Sequence, residues 1–413
     1  MNKSALTSAG FDHKRLNRIS AWMQRYVDER KFAGSSILIK RYGHDTFHDA
    51  IGLRDIATQK PFTRDTVVRL YSMTKPITSF GLMMLVEKGL CHLNMPVSEL
   101  LPEFKDMRAL IPGATSFDQT ISCATPTLHQ LLTHTSGLSY GFNPGIVPEL
   151  MRQGTLDFKP AQETIANISL RLSEIPLAFE PGKKWEYSVS IDVIGRVIEV
   201  ISGQTLDNFF QLEIFKPLEM AKTGFRFHER DRGKVASLYT PLGGNPMELN
   251  AAEKGDDTLK LVDEETGSPF WRSTVYSGGG GLVGTLDDYM KFVEILRNGG
   301  TSPLSRLLSP KTLGFMMQNH LSGDIASMGP HSFAEQPMNG MGFGLGGAVV
   351  LDPALARTPG NIDDFSWGGI ASTFFWVDRI SDMSVVFLTQ LSPSSSYPAR
   401  SELKALVLGA MIT

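Results

Sequence analysis

Tyr71-Ser72-Met73-Thr74-Lys75-Pro76-Ile77-Thr78 sets a hydroxyl and an amine three residues apart. On a helix that spacing brings both side chains to one face, within reach of each other, and a lysine so placed can help strip the serine proton. The flanks predict a strand running into a helix. Val67-Val68-Arg69-Leu70 is strand-like, Pro76 is tolerated only in a first helical turn, and Ile77 to Val86 reads as buried helix. A serine at that helix start has free N–H groups and the positive dipole end beside it, which favours developing negative charge. The spacing recurs in Ser401-Glu402-Leu403-Lys404, but inside a C-terminal amphipathic segment with no strand leading in, so there it reads as a solvated helix face. Taken alone, Ser72 fits helix capping as well as catalysis.

Outward from this stretch, Leu16, Ile19, Met23, Tyr26 and Val27 recur at helical spacing and predict an amphipathic helix over 11–30. Two strand-like runs follow, Ser35 to Lys40 and, after the turn signal Tyr42-Gly43-His44-Asp45, a run to Ile51-Gly52-Leu53. At the far end Thr373 to Val377 and Met383 to Leu388 flank a polar turn and read as an antiparallel pair, with helix over Ser401 to Ile412. The middle is richer in helical patterns and Pro/Gly-punctuated loops. The expected organisation is therefore a single α/β unit over 1–413. Its body is built from 1–75 and 271–413, and a mostly helical or irregular region, 76–270, stands between them.

The 413 residues carry 40 basic and 43 acidic side chains without a long run of either sign, which argues against nucleic acid or an anionic membrane as the main partner. After Met1-Asn2-Lys3 the chain meets Asp12, His13, Lys14 and Arg15 before an apolar run of useful length forms. No later stretch approaches the ~18 apolar residues of a membrane span. The two cysteines, Cys91 and Cys123, fit no metal-ligand spacing and read as small buried hydrophobes in a reducing compartment, so the expected address is cytoplasmic.

Two further elements carry possible chemistry. Trp185-Glu186-Tyr187-Ser188-Val189-Ser190 follows the turn Pro181-Gly182 and precedes an apolar helical run, Ile191 to Ile201. A tyrosine there can project into a cleft and act as a base, provided a nearby ammonium favours its phenolate; an amphipathic tyrosine at a seam is the plainer alternative. Trp367-Gly368-Gly369-Ile370 lies just before the strand at Thr373. Paired glycines let a ligand approach the backbone and a strand edge offers N–H groups to an oxyanion, although a bulge or turn reads the same way. Other features are discounted. Gly342-Phe343-Gly344-Leu345-Gly346-Gly347 matches GxGxxG but continues as strand through Ala348-Val349-Val350-Leu351 where a dinucleotide site needs a helix. Gly278 to Gly281 lacks the ending of a phosphate loop, reads as a flexible wall, and is followed by a helix-capping signature at Thr285 to Asp288. His134 reads as a structural hydrogen-bonder, and no GxSxG nucleophile elbow is present.

The Ser72–Lys75 stretch resembles the serine β-lactamase and penicillin-binding-protein superfamily, and within it the class C-like carboxylesterases of family VIII. Leu131-Leu132-Thr133-His134-Thr135-Ser136-Gly137-Leu138, Glu180-Pro181-Gly182 through Tyr187-Ser188, and Gly342-Phe343-Gly344-Leu345-Gly346 look like three further family segments in the same order. The resemblance implies a β-lactamase-like α/β (α+β) fold, an antiparallel sheet flanked by helices with a mostly helical second subdomain. It implies Ser72 as nucleophile, Lys75 as its hydrogen-bonded activator, Tyr187 as the base that shuttles the proton, and an oxyanion hole from the N–H groups of Ser72 and Ile370. No metal or cofactor is required. Two departures stand out from class C β-lactamases: Val189 replaces an asparagine, and Trp367-Gly368-Gly369 replaces Lys-Thr-Gly, removing the cation expected to hold a β-lactam carboxylate. Trp-Gly-Gly is what the esterases show. The expected activity is hydrolysis of small carboxylic esters through an acyl-enzyme, with acyl transfer, weak β-lactam hydrolysis or non-catalytic ligand binding as the rivals. Trp367, Gly368, Gly369, Tyr140 and Phe142 are the candidate substrate contacts, the last two being equally open to a core role.

Overall fold

The computed structural model describes residues 10–241, 246 and 259–412. The first residues read for an export signal, and 242–245 and 247–258 of the expected helical region, lie outside them. Helix α1 (His13–Asp28) is capped by the Asp12 carboxylate and buries Leu16, Ile19, Trp22, Met23 and Tyr26, the apolar stripe its spacing predicts. Strands β1 (Gly34–Arg41), β2 (His44–Asp55) and β3 (Lys60–Pro61) follow. Helix α2 (Thr74–Glu87) then carries the Ser72–Lys75 junction, α3 (Ser190–Ser202) follows Tyr187, and α4 (Leu286–Arg297) follows the glycine run. The chain closes with β4 (Met341–Phe343), β5 (Ala348–Val350), β6 (Phe365–Gly368), β7 (Phe374–Asp378), β8 (Met383–Thr389) and α5 (Ala399–Gly409).

These strands form one eight-stranded sheet in the order β4-β5-β6-β7-β8-β1-β2-β3, antiparallel throughout. The predicted pair at 373–388 is β7 with β8, and β8 pairs in turn with β1, so the two ends of the chain meet at the centre of the sheet. Both faces are covered, which is why β1 reads as an unbroken apolar run rather than an alternating one. Ile37, Ile39, Val385 and Phe387 pack with α1 and α5, while Leu38, Val386 and Leu388 join the larger core with α4 and α2. That larger core fixes the site, because α2 is buried from Thr74 to Leu85. Among the described residues no helix is long and apolar enough to cross a membrane. Cys91 is buried and Cys123 only half-buried, and both are free thiols.

Candidate active site

Ser72 lies in a single 3-10 turn, Tyr71–Met73, that runs directly into α2, with Pro76 in the helix's first turn where its missing N–H costs nothing. The expected strand ahead of it is short: Val68–Arg69 pairs with Val283–Gly284. Leu70 N donates to Leu282 O at 2.9 Å, and Tyr289 hydroxyl donates to Met73 O at 2.8 Å, which pins the turn on both sides. Tyr71 is held at φ 45°, in the left-handed region that a bulky residue enters only under constraint. Ser72 opens into a cavity of about 710 Å³, also lined by Tyr140, Phe142, Tyr187, Phe333, Trp367 and Ile370.

Lys75 is fully buried. Its Nζ lies 3.3 Å from Ser72 Oγ, as the three-residue spacing requires, 2.9 Å from the Tyr140 hydroxyl and 2.7 Å from Gly279 O. Burial pushes its pKa below the ordinary lysine range, with the charge of Asp192 opposing that shift. Asp192 is itself buried on α3, raised by burial and held back first by Lys75 and then by the hydrogen bonds from Ser277 Oγ and from Gly279 N at 3.0 Å. The glycine run is thus a tied wall rather than a flexible one. A side chain at Gly279 would stand 2.2 Å from Asp192 Oδ2 and 3.0 Å from Tyr140 Oη.

Tyr187 lines the same cavity, with the amine near it, but the hydrogen bonds of that amine go to Ser72, Tyr140 and Gly279. Lys75 Nζ stands 4.5 Å from the centre of the Tyr187 ring, a cation–π contact. Burial raises the phenol's pKa, opposed by polar contacts with Ser72 and Trp367, and Trp367 Nε1 has no fully formed hydrogen bond. Tyr187 is therefore a neutral phenol in the resting site. His134 is structural, as expected: its Nδ1 meets Ser188 Oγ at 3.0 Å and accepts from Ser188 N, and its ring packs 4.9 Å from that of Tyr187. Burial, then the Lys75 charge, keeps it neutral. Asn143 Nδ2 donates to Tyr187 O at 2.9 Å and completes the mount.

Trp367-Gly368 ends β6, whose ladder with β5 stops at Ser366, so this stretch turns an open edge toward the Ser72 turn. The reverse turn to β7 closes through Gly369 N to Thr373 O at 2.7 Å. The amides of Ser72 and Ile370 donate to no protein acceptor among the described residues, which leaves both for an oxyanion. The glycine pair serves the chain's own packing more than a ligand. A Cβ on Gly369 would lie 2.3 Å from Leu70 O, and one on Gly368 would lie 2.5 Å from Arg400 Nη2. Arg400 is a further charged residue at the cavity, outside the Trp367-Gly368-Gly369 motif. It lines the cavity from the start of α5, its Nε 3.4 Å from the buried Glu335 carboxylate, and it lowers the Tyr187 phenol slightly.

The structure thus brings Ser72, Lys75, Tyr187, Tyr140, Phe142, Trp367 and the 368–370 backbone to one cavity. Tyr140 does more than line it, since its hydroxyl holds Lys75. Sequence reasoning passed over Asp192, Ser277, Phe333 and Arg400. For Asp192 a signal existed: a carboxylate at the start of an otherwise apolar helix. GxGxxG continues as strand, as read, and forms the hairpin between β4 and β5. Thr285 stands at the N-cap of α4, but its side chain makes no capping bond, and the Asp288 carboxylate is engaged with Lys222 N and Thr223 Oγ1 rather than with the N-cap N–H.

The β-lactamase family profile matches residues 19–409. The chain is 32% identical to Esterase EstB of Burkholderia gladioli, across 90% of this chain and 89% of that one. Among solved structures it is similar to EstCE1, described as a hydrolase with promiscuous acyltransferase activity, with a TM-score of 0.77 and 29% identity over the whole of both chains. Simvastatin synthase from Aspergillus terreus superposes with a TM-score of 0.75 at 23% identity, covering 96% of this chain and 97% of that one, a likeness of fold.

Proposed function

The chain belongs to the β-lactamase family, and from that premise we propose that it is a serine carboxylesterase that hydrolyses carboxylic esters through an acyl-enzyme on Ser72. The observation that carries the reading is Ser72 Oγ, open to an aromatic cavity, with Nζ of a buried lysine 3.3 Å away and two unengaged amides on the same turn and its neighbour.

Lys75, whose pKa burial lowers, takes in its neutral form the proton of Ser72 as Oγ bonds to the ester carbonyl carbon, and the amides of Ser72 and Ile370 hold the oxyanion. Tyr187, a neutral phenol, gives its proton to the departing alkoxide as the carbon–oxygen bond breaks. The acyl-enzyme then stands beside an ammonium and a phenolate, with the ammonium against the ring face. Water attacks the acyl carbon, the phenolate takes its proton, and Lys75 returns a proton to the leaving Ser72 oxygen. Both residues end as they began, with acid and alcohol released. Tyr187 is the base of the second half rather than the first, which departs from the role that the resemblance implied.

The test is Ser72→Ala on a short-chain p-nitrophenyl ester, with mass spectrometry of the quenched wild-type enzyme. Expected are loss of turnover in a folded variant and an acyl adduct on the Ser72 peptide; undiminished turnover removes the assignment. A cavity of about 710 Å³ exceeds what a short ester fills and favours acyl transfer to a bulky alcohol as a second reaction of the same acyl-enzyme. Product analysis with a competing alcohol separates the two. Cytoplasmic residence is part of the proposal, supported by two thiols that remain unpaired.

A further inference from the structure

Lys75 can act on Ser72 only when its electron pair faces that oxygen, and the surroundings of Nζ decide where the pair points. Nζ has three positions besides its bond to carbon, and they are directed at Gly279 O, the Tyr140 hydroxyl and Ser72 Oγ. A carbonyl oxygen accepts only, so the position facing Gly279 must carry hydrogen. The Tyr140 hydroxyl is ambiguous, since it can accept from Nζ or donate to it. Donation would fill the electron pair and leave Ser72 without a base.

Asp192 removes the ambiguity. Its Oδ1 takes the hydroxyl of Ser277 and the N–H of Gly279, its Oδ2 and Tyr140 Oη both close on the α-carbon of Gly279, 2.2 and 3.0 Å from where a side chain there would begin, and after burial its charge is what raises the Tyr140 phenol's pKa most. A carboxylate accepts only. With the Tyr140 hydrogen turned to Asp192, the phenol oxygen must accept from Nζ, and the one position left for an electron pair is that facing Ser72. The other polar groups nearby do not compete: His134 is neutral with Nδ1 engaged by Ser188, Asp157 accepts from Gly141 N, Tyr187 meets Lys75 by its ring face, and Arg400 stands on the Glu335 side.

We infer that Asp192 is a positioning residue for the esterase reaction: by holding the hydrogen of Tyr140 it aims the electron pair of Lys75 at Ser72. The inference rests on the esterase reading, and the two fail separately, since that reading stands or falls with Ser72→Ala.

The experiment measures kcat/KM against pH for Asp192→Asn, Tyr140→Phe and the double variant. An asparagine amide can donate to the Tyr140 oxygen and turn its hydrogen onto Nζ. Asp192→Asn is therefore expected to lose roughly 10²- to 10⁴-fold in kcat, the contribution of a general base, with KM little changed. Loss of the opposing charge moves the acid limb to lower pH. Removing the offending hydroxyl in Asp192→Asn/Tyr140→Phe should restore roughly tenfold, the worth of one hydrogen bond, an outcome no purely structural role produces. Wild-type rates in Asp192→Asn, or a double variant no faster than the single one, overturn the inference. If Asp192→Asn does not fold, Tyr140→Phe decides alone: loss of the acceptor should lower the acid limb, and an unmoved limb overturns the inference.

Discussion

Gly369→Ala tests the oxyanion assignment at its narrowest point. The new methyl group would stand 2.3 Å from Leu70 O and 2.5 Å from Thr373 Oγ1, well inside contact distance for carbon and oxygen. Neither oxygen can swing away freely. Leu70 O accepts from Met73 N at 3.2 Å, and Thr373 Oγ1 donates to the same carbonyl at 3.4 Å. The turn carrying Ile370 must therefore retreat from the Ser72 turn by roughly 1 Å, a displacement large enough to cost about 10²-fold in a positioned site. Because the displaced group is one of two oxyanion donors, the expected loss is roughly 10²- to 10³-fold in kcat, about 2.7–4 kcal/mol of transition-state stabilisation, with KM little altered. Steady-state kinetics on p-nitrophenyl butyrate give the number, and circular dichroism with a melting curve establishes that the fold survives. A folded variant with kcat within a few-fold of wild type refutes the role given to the Ile370 amide.

Two further outcomes follow from the geometry. Lys75 must be neutral to accept the Ser72 proton and its pKa lies below the usual lysine range through burial, so kcat/KM should fall as pH drops through that pKa and level off above it, well short of pH ~10; a profile flat down to pH 5 in buffered stopped-flow assays contradicts Lys75 as the base. Trp367→Ala removes a ring stacked at 5.9 Å on Phe333 and 5.5 Å from Tyr187, so kcat/KM for aromatic esters should fall by roughly tenfold or more, and equal rates on aromatic and acetyl esters before and after would show that the ring does not line the bound substrate.

What was legible in the sequence is what local spacing determines. Ser72 and Lys75 share a helix face whatever surrounds them, and α1, β1, β7 and β8 follow from periodicities that their own residues carry. The order of the sheet, with β8 beside β1, is a pairing of residues some 350 positions apart, such as Ser36 with Leu388, and only closure of the core selects it. The polar shell of Lys75 is of the same long-range kind. Gly279, Tyr140 and Asp192 come from three separate segments, and each has an ordinary local explanation: a loop glycine, a tyrosine at a seam, an acidic residue in a first helical turn. The positive-φ residues that frame the site, Tyr71, His134 and Ser372, carry no sequence mark, because none is the glycine or asparagine that such a backbone invites.

That lack of a mark is itself informative about how the site is held. A non-glycine residue in the left-handed region costs of order 1–3 kcal/mol, and a buried amine and carboxylate cost more in lost hydration than their attraction returns unless every remaining donor and acceptor is matched. Here Nζ has three oxygens, and Asp192 Oδ1 takes Ser277 and Gly279. The strained residues are fixed from both sides, Tyr71 by the Leu70–Leu282 bond and the Phe270 ring, Ser372 by its hydroxyl on Leu391 O at 2.7 Å. At this site local preference therefore yields to the core, where a serine, an amine and two amides must converge, and the long buried run of α2 offsets that cost.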